Sequence, residues 1–179
     1  MQLIEFTKDM QRQVTEFFEE CFVALGWGYS TNGRHIDTAD VEKHYMQNGC
    51  FWCLFDNHVL IGTVAVRTID YENKILELKR MFVLPEYQGK GYGSQLLKHA
   101  IDYAKEQKYN SICLDTRNEL ATAQHLYKKY GFKQIDKYNN NEYADVYFEL
   151  KLIDCVNIAT DMTVDNTHVL TNKINSAIV

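Results

Sequence analysis

The chain has few of the residues that interrupt structure. Among 179 residues there are one proline, Pro85, and nine glycines, so no linker-like stretch divides it, and no internal repeat recurs along it. Long apolar runs are missing too. Nothing approaches the ~20 consecutive residues that cross a bilayer, and the opening MQLIEFTKDM carries acids where a secretory leader would be basic. Nor is there an excess of positive charge. Nineteen Lys and Arg against 24 Asp and Glu leave a formal −5, with no long-range field to hold a polyanion, so neither nucleic-acid nor membrane binding is expected. Cysteine is sparse and scattered: Cys21, Cys50, Cys53, Cys113 and Cys155 form an odd set, not a disulfide framework. Cys50-x-x-Cys53 lacks a second ligand pair, and three positions apart on a strand the two thiols face opposite ways, so no metal is expected. The six histidines show no ligand spacing and read as surface or capping residues. These absences describe a soluble, cytoplasmic protein with reduced thiols.

What is present is enough apolar mass, 46% hydrophobic and 13% aromatic, to build the core of one domain. Val14, Phe17, Phe18, Cys21 and Leu25 recur at helical spacing and predict a helix over 10–25. A glycine-containing loop follows, after which Thr38 or Asp40 caps a short helix through Tyr45. Blocks at 50–55 and 59–68 flank an Asp56-Asn57-His58 turn and predict a hairpin. Residues 75–84 read as a third strand, with Ile75, Glu77, Lys79 and Met81 on one face if the pleat is regular. Leu96, Leu97, Ala100, Ile101 and Ala104 mark a second long helix, 111–116 a buried strand, 120–130 a helix stopped by Gly131, and 132–138 and 145–152 two closing strands. A strand, crossover helix and strand over 75–116 predicts a parallel pair, and the hairpin predicts antiparallel pairing. The fold class is therefore α/β (α+β), with a mixed, mostly antiparallel sheet flanked by helices. Strand edges near 145–152 suggest a homodimer.

The chemistry sits at Gln88-Gly89-Lys90-Gly91-Tyr92-Gly93-Ser94, between a strand and a helix. The first N–H groups of a helix lack intrahelical partners and lie at the positive end of its dipole, which suits a pyrophosphate. A Walker loop needs lysine after its last glycine, whereas Gly93 is followed by Ser94, and the third glycine of a dinucleotide fingerprint would fall on Ser94.

Q-x-x-G-x-G does fit. Preceded by Leu78-Lys79-Arg80-Met81-Phe82-Val83 and followed in register by Leu114-Asp115-Thr116 and by Ala123 to Phe132 with its Leu126-Tyr127 pair, it resembles the GNAT superfamily of acyl-CoA-dependent N-acetyltransferases. The resemblance implies an acyl-CoA N-acyltransferase fold over residues 1–152 whose parallel strands splay apart. Residues 153–179 are left as an extension of unassigned structure. It implies acetyl-CoA as the acyl donor, with its pyrophosphate held by main-chain N–H groups of Gln88, Gly89, Lys90, Gly91, Tyr92, Gly93 and Ser94, and its pantetheine and acetyl carbonyl held along Met81, Phe82 and Val83. Tyr127 takes the position of the general acid and Glu77, on the third strand before a bulge expected near Met81, that of a general base. The chain departs from many relatives at Leu120, where they carry asparagine. The segment lining the acceptor pocket corresponds to Trp27, Tyr29, Arg34, His35 and Asp37. Tyr29 and Arg34 are expected to bind the acceptor: Arg34 suits a carboxylate and Asp37 an ammonium, and both stay open. The expected activity is direct acetyl transfer to the primary amine of a small molecule, amino acid or peptide. A non-catalytic acyl-CoA-binding or sensor module is the alternative.

Overall fold

Successive side chains of a strand point to opposite faces, and residues 50–55 and 60–66 are buried on both, so these strands must be covered from two sides. The structure, a computed structural model, describes residues 1–152. The boundary expected between 152 and the extension 153–179 leaves that extension outside the described residues. The elements are β1 (Gln2–Glu5), α1 (Gln11–Ala24), α2 (Ile36–Ala39), α3 (Val41–Tyr45), β2 (Gly49–Asp56), β3 (Val59–Asp70), β4 (Ile75–Val83), α4 (Tyr92–Glu106), β5 (Ser111–Thr116), α5 (Ala121–Lys129), β6 (Lys133–Ile135) and β7 (Val146–Lys151). They build one seven-stranded sheet in the order β1-β2-β3-β4-β5-β7-β6. Only β4 and β5 are parallel. No helix among the described residues is long and apolar enough to cross a membrane.

Each face of the sheet has its own core. Cys50, Trp52 and Leu54 turn toward Leu96, Leu97, Ala100 and Ile101 of α4, while Phe51, Cys53 and Phe55 turn toward Phe17, Phe18 and Phe22 of α1. Cys50 and Cys53 thus lie on opposite faces, as their spacing requires. The α1 side is an aromatic cluster in which Phe18 meets Phe51 and Phe82 edge to face, at 6.4 and 5.6 Å; such pairs are worth about 0.5–1.5 kcal/mol beyond burial.

Three expectations are corrected and one strand is added. Leu25 is exposed and Phe22 takes its place in the stripe of α1, because the helix ends at Ala24. The added strand is β1 at the edge of the sheet, whose four residues are too few to show a period. The segment 145–152 is not a sheet edge, because β7 lies between β5 and β6. Met81 does not share a face with Glu77 and Lys79. Ala65 pairs with Lys79 and Thr63 with Phe82, so Arg80 and Met81 together oppose Val64 in a β-bulge, with Arg80 at φ 51°. The bulge sends Met81 and Val83 to the α4 side and Phe82 to the α1 side. Thr63 Oγ1 donates to the Arg80 carbonyl at 2.8 Å and so satisfies it.

The parallel pair stops early. β4 and β5 pair at Ile75–Ser111, Leu76–Ile112 and Glu77–Cys113 only. Beyond that point β4 stays with β3 and β5 stays with β7, which opens a wedge in the sheet.

Candidate active site

The strand-to-helix turn flanks this wedge. Gly89 (φ 73°) and Gly91 (φ 89°) are left-handed, a conformation that costs an L-residue about 1–2 kcal/mol. Gly91 is the N-cap of α4 and supplies no capping side chain. The first bond of the helix runs from Gln95 N to the Gly91 carbonyl at 3.1 Å, and the N–H groups of residues 89–94 donate to no backbone carbonyl among the described residues. A Cβ placed at Gly89 or Gly91 would meet nothing within 4 Å, so the main chain is open to a ligand there. Gln88 Nε2 donates to the Val83 carbonyl at 2.9 Å, and Lys90 Nζ sits 4.9 Å from the centre of the Tyr87 ring. Six free donors at the positive end of a helix dipole fit the pyrophosphate of acetyl-CoA.

A cavity of about 570 Å³ opens where β4 and β5 part. Tyr127, on α5, reaches it with its ring packed on Phe132 (5.9 Å) and Phe148 (6.1 Å). Tyr127 is only 6% exposed. Burial first, and then the negative charge of Asp115, push its phenol up, so it holds its proton throughout the neutral range.

Three carboxylates line the same cavity, and each is held by cations. Glu77, 1% exposed, faces Arg67 across the β3–β4 pair. Its Oε2 accepts from Arg67 Nε at 2.8 Å and Nη2 at 2.7 Å. Its Oε1 accepts from the Tyr138 hydroxyl (2.8 Å) and Asn139 Nδ2 (3.1 Å), with Lys79 Nζ 3.8 Å away. Asp115 accepts from Lys79 Nζ at 3.2 Å on both oxygens and from Asn139 Nδ2 at 2.6 Å. Asn139 therefore bridges the two carboxylates. Burial alone would raise Asp115, but Lys79 and the amide donors hold it below the usual carboxylate range. Asp37 is treated alike: burial raises it, and the Arg80 guanidinium with the Tyr45 hydroxyl bring it below that range.

The cavity brings together Tyr127, Glu77, Met81, Phe82 and Arg34, while Val83 ends β4 and residues 88–94 form the adjoining turn and the start of α4. Trp27 and Asp37 also face the cavity. Tyr29 and His35 do not line it: the Tyr29 hydroxyl is engaged by Thr38 Oγ1 at 2.8 Å, and its ring stacks on Phe22 and His35. His35 is a core residue rather than a surface one. Its Nδ1 accepts from the Ser30 N–H at 3.0 Å, its Nε2 is buried without a partner, and burial together with Arg80 and Arg34 lowers its pKa to about 4. Sequence reasoning missed Arg67, Lys79, Asp115, Asn139 and Arg117. Asp115 stood in a recognised motif without a role, and the polar residues at alternate positions on a buried strand were the signal for Lys79.

The chain matches the acetyltransferase (GNAT) family over residues 12–132. It is 32% identical over 123 residues to the Xenopus tropicalis protein named probable N-acetyltransferase camello, covering 63% of this chain and 56% of that protein. It is 35% identical over 101 residues to N-acetylaspartate synthetase of the same organism, covering 55% of this chain and 37% of that one. The chain thus spans about half or less of these relatives' length. Among solved structures, a GNAT-family acetyltransferase from Staphylococcus aureus superposes with a TM-score of 0.78 at 24% identity, covering 85% of this chain and 99% of that one. A Salmonella typhimurium structure solved with its cofactor acetyl-CoA superposes at 0.65 with 20% identity, covering 86% and 95%. At these identities the superpositions establish the fold, and the family match covers most of the length that carries the splayed strands, the glycine turn and Tyr127. The chain belongs to the GNAT family of acetyltransferases.

Proposed function

We propose that this protein transfers the acetyl group of acetyl-CoA to the primary amine of a small acceptor by direct attack in a ternary complex. The observation that carries this reading is the buried Tyr127 phenol, which makes no hydrogen bond with the described residues and faces the cavity where β4 and β5 part. Acetyl-CoA supplies a thioester carbonyl, so that a C–N bond forms as the C–S bond breaks. The free N–H groups of residues 89–94 bind its pyrophosphate, and main-chain groups of Met81, Phe82 and Val83 line the path of its acyl arm. Tyr127 donates its proton to the departing thiolate. Its pKa lies above that of an ordinary phenol, so the transfer relies on held geometry rather than on an acidic proton. Arg67 and Lys79 balance the charges of Glu77 and Asp115 at the inner end of the cavity. Glu77 acts as the base, taking the proton of the acceptor's ammonium through water.

The relatives named for making N-acetylaspartate support an amino acid as acceptor. The reading of a non-catalytic acyl-CoA sensor is not favoured, because it leaves the unpartnered phenol and the charged cavity without a purpose. The free, buried thiols of Cys21, Cys50, Cys53 and Cys113 support action in a reducing compartment such as the cytoplasm.

The test is release of free thiol from acetyl-CoA across a panel of amines. Cys21, Cys50, Cys53 and Cys113 are buried and free, with thiols pushed up to about 12 by burial, so they interfere little with a thiol reagent. Amine-dependent release is expected. A melting-temperature rise with CoA but no release from any amine would replace this reading with that of a binding module.

A further inference from the structure

The charges around the cavity do not cancel, and the surplus lies at one end. Five cationic and three anionic side chains line it, leaving the histidine aside. Arg67 pairs with Glu77, Lys79 with Asp115 and Arg80 with Asp37, at 2.5–3.2 Å. Two guanidiniums are left over. Arg34 has no acid within ion-pair distance among the described residues, and Arg117 reaches only Glu119, whose side chain is 55% exposed and therefore screened by water.

Both surplus guanidiniums rest on aromatic rings. The guanidinium carbon of Arg34 lies 3.6 Å from the centre of the Tyr143 ring, and that of Arg117 lies 4.4 Å from that of Trp27. A guanidinium stacked face-on keeps the N–H groups at its edge free, and that edge matches a carboxylate bidentately. Each shelf joins distant segments: Tyr143 precedes β7, Arg34 and Trp27 lie between α1 and α2, and Arg117 follows β5. Burial, and the nearby charges of Arg117 and Arg80, disfavour the Arg34 cation. The two guanidiniums therefore repel one another, and a bound dianion relieves that repulsion.

We propose that Arg34 and Arg117 form a two-point carboxylate clamp that makes an amino acid with two carboxylates the preferred acceptor. This rests on the acetyltransferase reading above. Asp115 and Arg117 stand two positions apart, about 7 Å along an extended chain. A small acidic amino acid would place its carboxylates on the clamp and its amine on the Glu77 side of the cavity, where the proposed base lies. Asp37 is not available for an ammonium, because Arg80 and Tyr45 occupy it. Diamines and polyamines would meet at the clamp the Arg34 cation, without an acid in ion-pair distance among the described residues, and the Arg117 cation, paired only with the exposed Glu119.

The experiment uses the full chain with L-aspartate, L-glutamate, L-alanine and putrescine as acceptors. It also measures calorimetric binding of succinate, a dicarboxylate without an amine. For the acidic amino acids kcat/KM is expected to exceed that for L-alanine by on the order of 100-fold, the worth of one charge-assisted bidentate contact. Arg34→Gln and Arg117→Gln should each weaken succinate binding and raise KM for the acidic acceptors at least about 10-fold, with the loss falling on KM more than on kcat. Arg34→Lys, which keeps the charge and guards against a folding defect, should recover part of the loss.

Equal turnover of L-alanine or putrescine, or succinate binding unchanged in both Gln variants, would overturn the clamp and leave the acetyltransferase reading intact. Arginine-dependent succinate binding without thiol release from any amine would uphold the clamp and overturn that reading. Neither binding nor release would overturn both.

Discussion

Arg80 and Asp37, 43 residues apart, meet as a two-point ion pair, with Nε donating to Oδ2 at 2.7 Å and Nη2 to Oδ1 at 2.5 Å. The bulge in β4 is what allows it, since the left-handed backbone at Arg80 breaks the pleat and turns this side chain onto α2. The pair ties the acceptor side of the cavity to the strand along which acetyl-CoA is expected to lie. Both side chains are nearly buried, so removing one partner leaves a charge without compensation. Arg80→Met is expected to cost about 3–5 kcal/mol in chemical denaturation, and the double variant with Asp37→Leu to recover much of that. A single variant of wild-type stability would show that the pair contributes nothing.

Tyr127→Phe separates chemistry from packing. The phenol oxygen makes no hydrogen bond within the described residues, so its loss should leave stability within about 1 kcal/mol. The rate of acetyl transfer should fall roughly 100- to 10,000-fold, the range for a general acid. Undiminished turnover would remove Tyr127 from the mechanism.

The glycine turn gives a contrast between two positions. Gly91→Ala places a side chain at φ 89° and should destabilise by about 1–2 kcal/mol while weakening CoA binding. Gly28 has neither a positive φ nor an atom within 4 Å of an added Cβ, so Gly28→Ala should change stability by less than about 0.5 kcal/mol. Thermal melts with and without CoA read both effects.

His35 predicts an acid-side loss of stability. Its imidazole is neutral in the folded protein down to about pH 4, whereas the unfolded chain takes up the proton near 6.5. Below that value the unfolded state binds more protons, so the contribution is complete above pH 6.5 and is lost as pH falls toward 4. Denaturation midpoints measured between pH 7.5 and 4 should fall less steeply in His35→Gln. Identical slopes would show that His35 is already charged in the fold.

Much of this molecule could be read from short stretches of chain. The apolar stripe of α4, all five of whose members are buried, follows from a 3.6-residue period. The hairpin of β2 and β3 follows from two apolar blocks around a turn, and the glycine turn from residues that alone adopt positive φ at little cost. These features depend on near neighbours, and the motif order extended them to the family. The bulge expected near Met81 is found at Arg80 and Met81, but which residue turns left-handed was not legible, because arginine carries no signal for positive φ.

By itself the sequence determined the elements other than β1, the parallel crossover, the glycine turn and the motif that holds Tyr127, because each depends on backbone preference or on a compact motif. Which charges neutralise one another was decided only by tertiary structure. Tyr138 and Asn139 reach Glu77 across 61 and 62 residues, Arg80 captures Asp37, and Tyr143 supports Arg34. Ion pairs form between groups brought to the same point in space, and that proximity comes from how the faces of the sheet are covered. In the sequence Arg34 and Asp37 are equal candidates to hold the acceptor; the fold pairs Asp37 with Arg80 and leaves Arg34 lining the cavity with no acid within ion-pair distance among the described residues.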